Sequence, residues 1–121
     1  MPSFSKISID RLTTCDDRLQ FLFLEVIKFR DCSILEGYRP QDLQDKAVAE
    51  GRSKTPWPNS KHNKTPALAV DVMPYPIDWN DKNRLIEFAG FVMGVASQMN
   101  IPVRWGGHFR GFWDGPHWEL T

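Results

Sequence analysis

Ser60-Lys61-His62, Asp71 and Asp114-Gly115-Pro116-His117 supply side chains that bind divalent metals and move protons. The chain has three histidines, and two of them stand in these segments. Two imidazoles and one carboxylate form a ligand set that leaves a fourth zinc position open for water, and a further carboxylate nearby can carry a proton. Each residue also has a plainer reading. His62 can be a surface-loop histidine and His117 a structural one. Asp71 can point into solvent or cap a turn at a strand end. Asp71 is the one that most needs explaining, because an ionised group within an apolar strand is costly unless it is paired or bound to a cation. Three separated segments must converge for the metal reading to hold.

The elements around these residues are expected to bring them together. Ala67 to Met73 alternates as a strand, with Leu68, Val70 and Val72 on one face and Ala67, Ala69 and Asp71 on the other. The two alanines leave space on the Asp71 side. Asn63-Lys64-Thr65-Pro66 is turn-forming and can fold His62 back over that face. His117-Trp118-Glu119-Leu120 reads as a last strand, with Trp118 and Leu120 facing the core and His117 and Glu119 facing the polar side. His108 lies in a glycine-flanked loop that can border the site, and it is not expected to be a ligand.

The remaining elements follow from periodicity and capping. Residues 15–30 are expected to form a helix capped by Thr14, with Asp17 three residues on, and with Leu19, Leu22, Phe23, Val26 and Ile27 on its core face. Ser33 to Glu36 reads as a short strand that ends at Gly37-Tyr38-Arg39. Pro40 then suits the first turn of a helix over Gln41 to Glu50, with Gly51 as its stop. Arg52 to Lys64 is a loop, since Thr55-Pro56-Trp57-Pro58-Asn59-Ser60 cannot be regular. Asp78, Asn80 or Asp81 can cap a long helix to about residue 99, with Asn100 at its C-terminus. Ile101 to Trp105 is a strand. Nothing is assigned to the mixed polar segment at the N-terminus. This order predicts an α+β domain, with about three helices packed on a small, mostly antiparallel sheet.

Length and composition fit one globular domain spanning residues 1–121, with 41% apolar residues for a core. Fifteen basic residues balance fifteen acidic ones, which argues against a nucleic-acid or membrane-surface binder. No apolar run approaches a membrane-spanning length, so no membrane insertion is expected. Cys15 and Cys32 bracket the first expected helix. That puts them roughly 25 Å apart at about 1.5 Å per residue, too far for a disulfide. The opening Met1-Pro2-Ser3-Phe4-Ser5-Lys6 has no secretory pattern, and synthesis in the cytoplasm is the expectation.

The motif set resembles a known family. Ser60-x-His62, Ala69-x-Asp71 and Asp114-x-x-His117 are similar to the motifs of zinc D-Ala-D-Ala carboxypeptidases and L-alanyl-D-glutamate endopeptidases, the LAS metallopeptidases of hedgehog/DD-peptidase fold. That family includes phage endolysins. The resemblance runs from about Gly37 to Leu120 and takes in Gly37-Tyr38-Arg39, Gly51-Arg52-Ser53-Lys54, Asp71-Val72-Met73-Pro74 and Arg104-Trp105-Gly106-Gly107. It implies one zinc ion held by His62, Asp71 and His117. It implies Asp114 as catalytic acid and base, and Arg39 at the substrate carbonyl. Ser60, Tyr38, Trp105 and His108 would stand around the substrate or behind the ligands.

Two departures from the family pattern stand out. Many relatives have glutamate where this chain has Asp114, and an acidic residue is common in phage relatives where it has His108. Calcium, used by some relatives, is poorly served here, because the 106–116 loop has Asp114 as its one acid. The substrate implied is the peptidoglycan stem peptide, cut between L-Ala and D-Glu by a monomeric lysin that is released to the cell wall through a pore made by another protein. The alternatives are a D-Ala-D-Ala carboxypeptidase or dipeptidase, and a zinc-stabilised binding domain without catalysis.

Overall fold

The computed structural model describes residues 2–121. Its elements are α1 (Lys6–Leu12), α2 (Asp17–Val26), β1 (Cys32–Glu36), α3 (Gln41–Ala49), β2 (Ala69–Pro74), α4 (Lys82–Gln98), β3 (Val103–Trp105) and β4 (His117–Leu120), with single 3-10 turns at Lys61–Asn63 and Gly106–His108. The four strands form one antiparallel sheet in the order β1-β2-β4-β3. The α+β class and the antiparallel sheet are as expected from the sequence.

Strand alternation divides the sheet into two chemically different faces. Val70 pairs with Trp118, Val103 with Leu120 and Ile34 with Val72. These side chains join Leu19, Leu22, Phe23 and Val26 of α2 and Leu85, Phe88, Ala89, Val92 and Ala96 of α4 in the core. Trp105 stacks on Trp118 within it, their rings 6.2 Å apart. The opposite face carries Asp71 paired with His117, and Glu119 standing between Ala69 and Arg104. The two central strands therefore deliver a carboxylate and an imidazole to adjacent points by register alone.

The structure adds α1, which the sequence pattern did not reveal. Its buried residues are Ser8 and Leu12, while Ile7 and Ile9 are exposed. The apolar pattern therefore points the wrong way, and a hydroxyl does the anchoring, since Ser8 Oγ accepts a hydrogen bond from the Ile34 amide at 3.0 Å. The cap of α2 also moves. Asp16, not Thr14, accepts from the Arg18 amide. Thr14 is engaged elsewhere, donating its hydroxyl to the Arg11 carbonyl and accepting from the Tyr38 amide, and Cys15 forms a parallel bridge with Ala67. The helix therefore starts two residues later than expected, and it ends at Val26 in irregular turns. Asp81 caps α4 and Asn100 follows it with φ of 57°, a left-handed conformation that asparagine tolerates.

Both cysteines are free and buried. Burial pushes the thiol of Cys15 from 9.0 up to about 11 and that of Cys32 up to about 12. Such thiols stay protonated and unreactive. We expect neither to react with a disulfide reagent in the folded protein at mildly alkaline pH, and both to react once it is unfolded. Linkage gives the matching pH effect. The folded-state values lie above the unfolded ones, so stability declines as pH rises from about 9 toward the folded values, and replacing both cysteines with alanine flattens that slope in urea titrations.

Candidate metal centre

His62 is carried by the 3-10 turn at Lys61–Asn63, which a reciprocal cap holds in place. Ser60 Oγ accepts from the His62 amide, and Asn63 Oδ1 accepts from the Ser60 amide. Asn63 in turn donates to the Arg39 carbonyl and to Gln44 Oε1, both buried contacts. Ser60 thus acts by fixing the backbone that aims His62. The imidazole is almost fully buried, at 2% exposure.

The hydrogen bonds on the outer nitrogens fix what the inner ones offer. His62 Nδ1 lies 2.8 Å from the Gly37 carbonyl oxygen, which can only accept, so Nδ1 carries the proton. His117 Nε2 lies 2.8 Å from Glu119 Oε1, so a proton sits there too. In the neutral rings, His62 Nε2 and His117 Nδ1 are left with lone pairs. Both point at Asp71 Oδ1, at 3.3 and 3.4 Å. His62 Nε2 and Asp71 Oδ1 are buried and have no hydrogen-bond partner. The three ligand atoms lie within 4.8 Å of one another.

Three electron-rich atoms converging in a buried space repel one another unless a cation sits among them. The residues present therefore fit a divalent metal, and they could hold one. Carbonyl or carboxylate partners on the far side of each imidazole are the usual support of metal-binding histidines. The charge balance of the protein alone points the same way. Burial opposes charge on Asp71, yet the two imidazoles hold its carboxyl well below the usual range. Burial also opposes charge on His117, yet the carboxylates of Asp71 and Glu119 beside it lift its pKa to about 9, so that without a metal a proton is drawn to the place a cation would fill. The site draws positive charge to this point. Removing the support of His117 by Glu119→Ala should weaken metal affinity by about 10–100-fold, read by chelator competition.

Asp114 stands at the rim. Its Oδ2 is 3.8 Å from His117 Nδ1, and its pKa is raised, mainly by burial and then by the charge of Asp71. The turn that holds it is tight. The Asp114 amide donates to the Gly106 carbonyl, the His117 amide to the Asp114 carbonyl and the Val72 amide to the Pro116 carbonyl. Gly106 has to be glycine, because a Cβ there would collide with the Asp114 carbonyl oxygen and the His117 side chain.

Arg39 is buried beside the centre, 3.6 Å from Asp71 Oδ2. Glu36 accepts from its Nε and Nη2, and Gln44 from its Nη1. This fixed guanidinium lines a cleft of about 1250 Å³ that also contains His62, Asp71, His108, Asp114 and His117.

The structure brings together seven of the nine residues expected from the sequence. Tyr38 and Trp105 stand apart. Tyr38 lines a separate hollow with Ile7, Arg11 and Leu43, while the next residue, Arg39, lines the cleft. Trp105 lies on the core face. It supports the site from beneath by donating Nε1 to the Gly115 carbonyl at 2.6 Å. His108 lines the cleft and packs edge-on against Trp105.

Sequence reasoning named no role for Glu36, Gln44, Asn63 or Glu119. The alternation of β4 already put Glu119 on the face of His117, which was the available signal. The other three hold Arg39 and the His62 turn through side-chain hydrogen bonds, and no apolar periodicity marks a polar residue for such a contact.

Comparisons with known proteins give the chain a family. The chain aligns with the L-Ala D-Glu endopeptidase ChiX of Serratia marcescens at a TM-score of 0.83 and 27% identity, covering 98% of this chain and 90% of that one. No curated protein sequence matches it significantly. The family model described as phage L-alanyl-D-glutamate peptidase matches residues 2–121. The chain thus belongs to the phage L-alanyl-D-glutamate peptidase family, whose members are hydrolases of peptidoglycan.

Proposed function

We propose that this chain is a zinc-dependent endopeptidase that cuts the L-alanyl–D-glutamate bond of the peptidoglycan stem peptide, with His62, Asp71 and His117 holding the zinc. The observation that carries this reading is the pair of buried, partnerless atoms His62 Nε2 and Asp71 Oδ1 facing the free nitrogen of His117. A nitrogen-rich set with one carboxylate suits zinc better than calcium or magnesium. The chemistry that a bound zinc supplies is Lewis-acid polarisation of a carbonyl and acidification of water to a pKa of about 7.

The chain's own groups do the rest. Asp114 takes the proton of the attacking water and passes it to the amine of the leaving D-glutamyl residue. Its raised pKa suits a group that must hold a proton between the two steps. Arg39 keeps a positive charge beside Asp71 and faces the cleft where the carbonyl oxygen gains charge. Ser60 and Glu119 orient the two imidazoles. The family match and the likeness to an L-Ala D-Glu endopeptidase favour a cut within the stem peptide over release of its last residue.

The protein acts, in this reading, as a monomeric single-domain lysin on the wall of a phage-infected cell, without membrane insertion. Among the described residues no helix is long and apolar enough to cross a membrane.

Digestion of purified peptidoglycan, followed by mass spectrometry of the fragments, tests the reading. New N-terminal D-Glu that disappears with a chelator and returns with zinc supports it. Released D-Ala would make the enzyme a carboxypeptidase. No cleavage by the zinc-loaded protein would leave a binding domain and overturn the catalytic reading.

A further inference from the structure

The substrate of an L-alanyl–D-glutamate peptidase is itself an anion. Glutamate has two carboxyl groups and the continuing peptide uses one of them, so the other stays free and charged next to the bond that is cut. At the reaction centre Asp71, Asp114 and Glu119 stand close together, and the positive groups there are engaged by them and by the bond that is cut. A cation on the same face, not committed to a protein carboxylate, is needed to hold it. Lys61 and Arg39 are both committed, to Glu119 and to Glu36 with Asp71.

Arg104 meets the requirement. It is on the metal face of the sheet, because its Cα partner is Glu119, two residues from His117. It is exposed and lines the cleft. Among the described residues no carboxylate lies within ion-pair distance of it, and Glu119 across the strand is taken by His117 and Lys61. Its guanidinium lies over the Phe109 ring at 4.4 Å, and Phe109 packs against His117 with ring centres 5.4 Å apart. Stacking on one face orients the guanidinium and leaves its edge of N–H donors free for a planar, two-pronged grip on a carboxylate.

Two further cations border the loop that carries Asp114. Lys54 sits over Phe112 and Lys82 over Trp113, again with no carboxylate partner. The loop that carries Asp114 is thus fringed by cations parked on aromatic rings, in a chain whose net charge is zero.

We propose that Arg104 is a specificity-determining residue that binds the free carboxylate of the D-glutamyl residue, an inference that rests on the peptidase reading above. The test compares peptides that carry the free D-Glu carboxylate with the same peptides carrying a carboxamide there. The wild-type enzyme should prefer the acid. Arg104→Met should lose about 10–100-fold in kcat/KM on the acid, chiefly through KM, and change little on the amide, as expected for one charge-assisted pair. Arg104→Lys should recover part of the preference. The product peptide with N-terminal D-Glu, titrated into the zinc-loaded protein, should bind more weakly to Arg104→Met than to wild type. Zinc content and melting temperature confirm that the variants are folded and loaded.

Equal losses on acid and amide, or a wild-type enzyme that does not discriminate, would overturn the assignment of Arg104. Failure of the wild-type enzyme to cut either peptide would instead sink the peptidase reading itself.

Discussion

Asp114→Asn is expected to retain one zinc per chain and to lose about 10²–10⁴-fold in turnover, the range for removal of a positioned acid-base group. That corresponds to roughly 3–5 kcal/mol of barrier. Asparagine keeps the size of the side chain, so the turn should survive with its backbone bonds from Asp114 to Gly106 and from His117 to Asp114 intact. What changes is the ability to accept and return a proton. Asp114 is suited to this test because it lies outside the converging ligand trio, with its Oδ2 3.8 Å from His117 Nδ1, whereas Asp71 Oδ1 lies between the two imidazoles. Elemental analysis for zinc and steady-state rates on wall fragments would be measured on the same sample. Full turnover in this variant would remove Asp114 from the mechanism, and loss of zinc would move it into the ligand set. Asp114→Glu should keep part of the rate that Asp114→Asn loses, since it retains a carboxylate on a side chain one methylene longer.

How far the site could be read from sequence depended on whether its signals were local. Register exposed β2 and β4, because alternation along Val70, Asp71 and Val72 and along His117, Trp118 and Glu119 assigns each side chain a face before any partner is known. Turn chemistry at Asn63-Lys64-Thr65-Pro66 exposed a bend beside His62, but not the Ser60–Asn63 cap that holds the imidazole in place. The core face of α4 was legible because a 17-residue helix repeats its pattern several times. A seven-residue helix does not, and α1 hid because its buried positions are a serine and a leucine. The Thr14 cap failed for a different reason, since its hydroxyl is claimed by Arg11 and Tyr38 and its neighbour by Ala67, contacts that exist only in the folded chain. Tyr38 was drawn into the expected site by sharing a motif with Arg39. Motif membership does not record direction, and these two neighbours line different hollows.

His117→Ala should abolish stoichiometric zinc binding and reduce peptidase activity to background, a larger effect than any change at Asp114 or Glu119. One imidazole and one carboxylate cannot match a three-ligand set, and the loss also leaves the Glu119 carboxylate beside Lys61 without its second partner. Because His117 is buried, its removal opens a cavity, so reduced activity alone would be ambiguous. Two comparisons separate the causes. Chelation of the wild-type protein removes the ion without touching the packing, and should give the same loss of rate while leaving the far-ultraviolet circular dichroism unchanged. Added zinc should then restore the wild-type protein and fail to restore the variant. The unpaired atoms that face one another also predict that zinc raises the melting temperature of the wild-type protein, by mass action on the folded state, and raises that of His117→Ala by much less. A variant that held one zinc per chain and kept wild-type turnover would show that His62 Nε2 and Asp71 Oδ1 find their missing partner elsewhere.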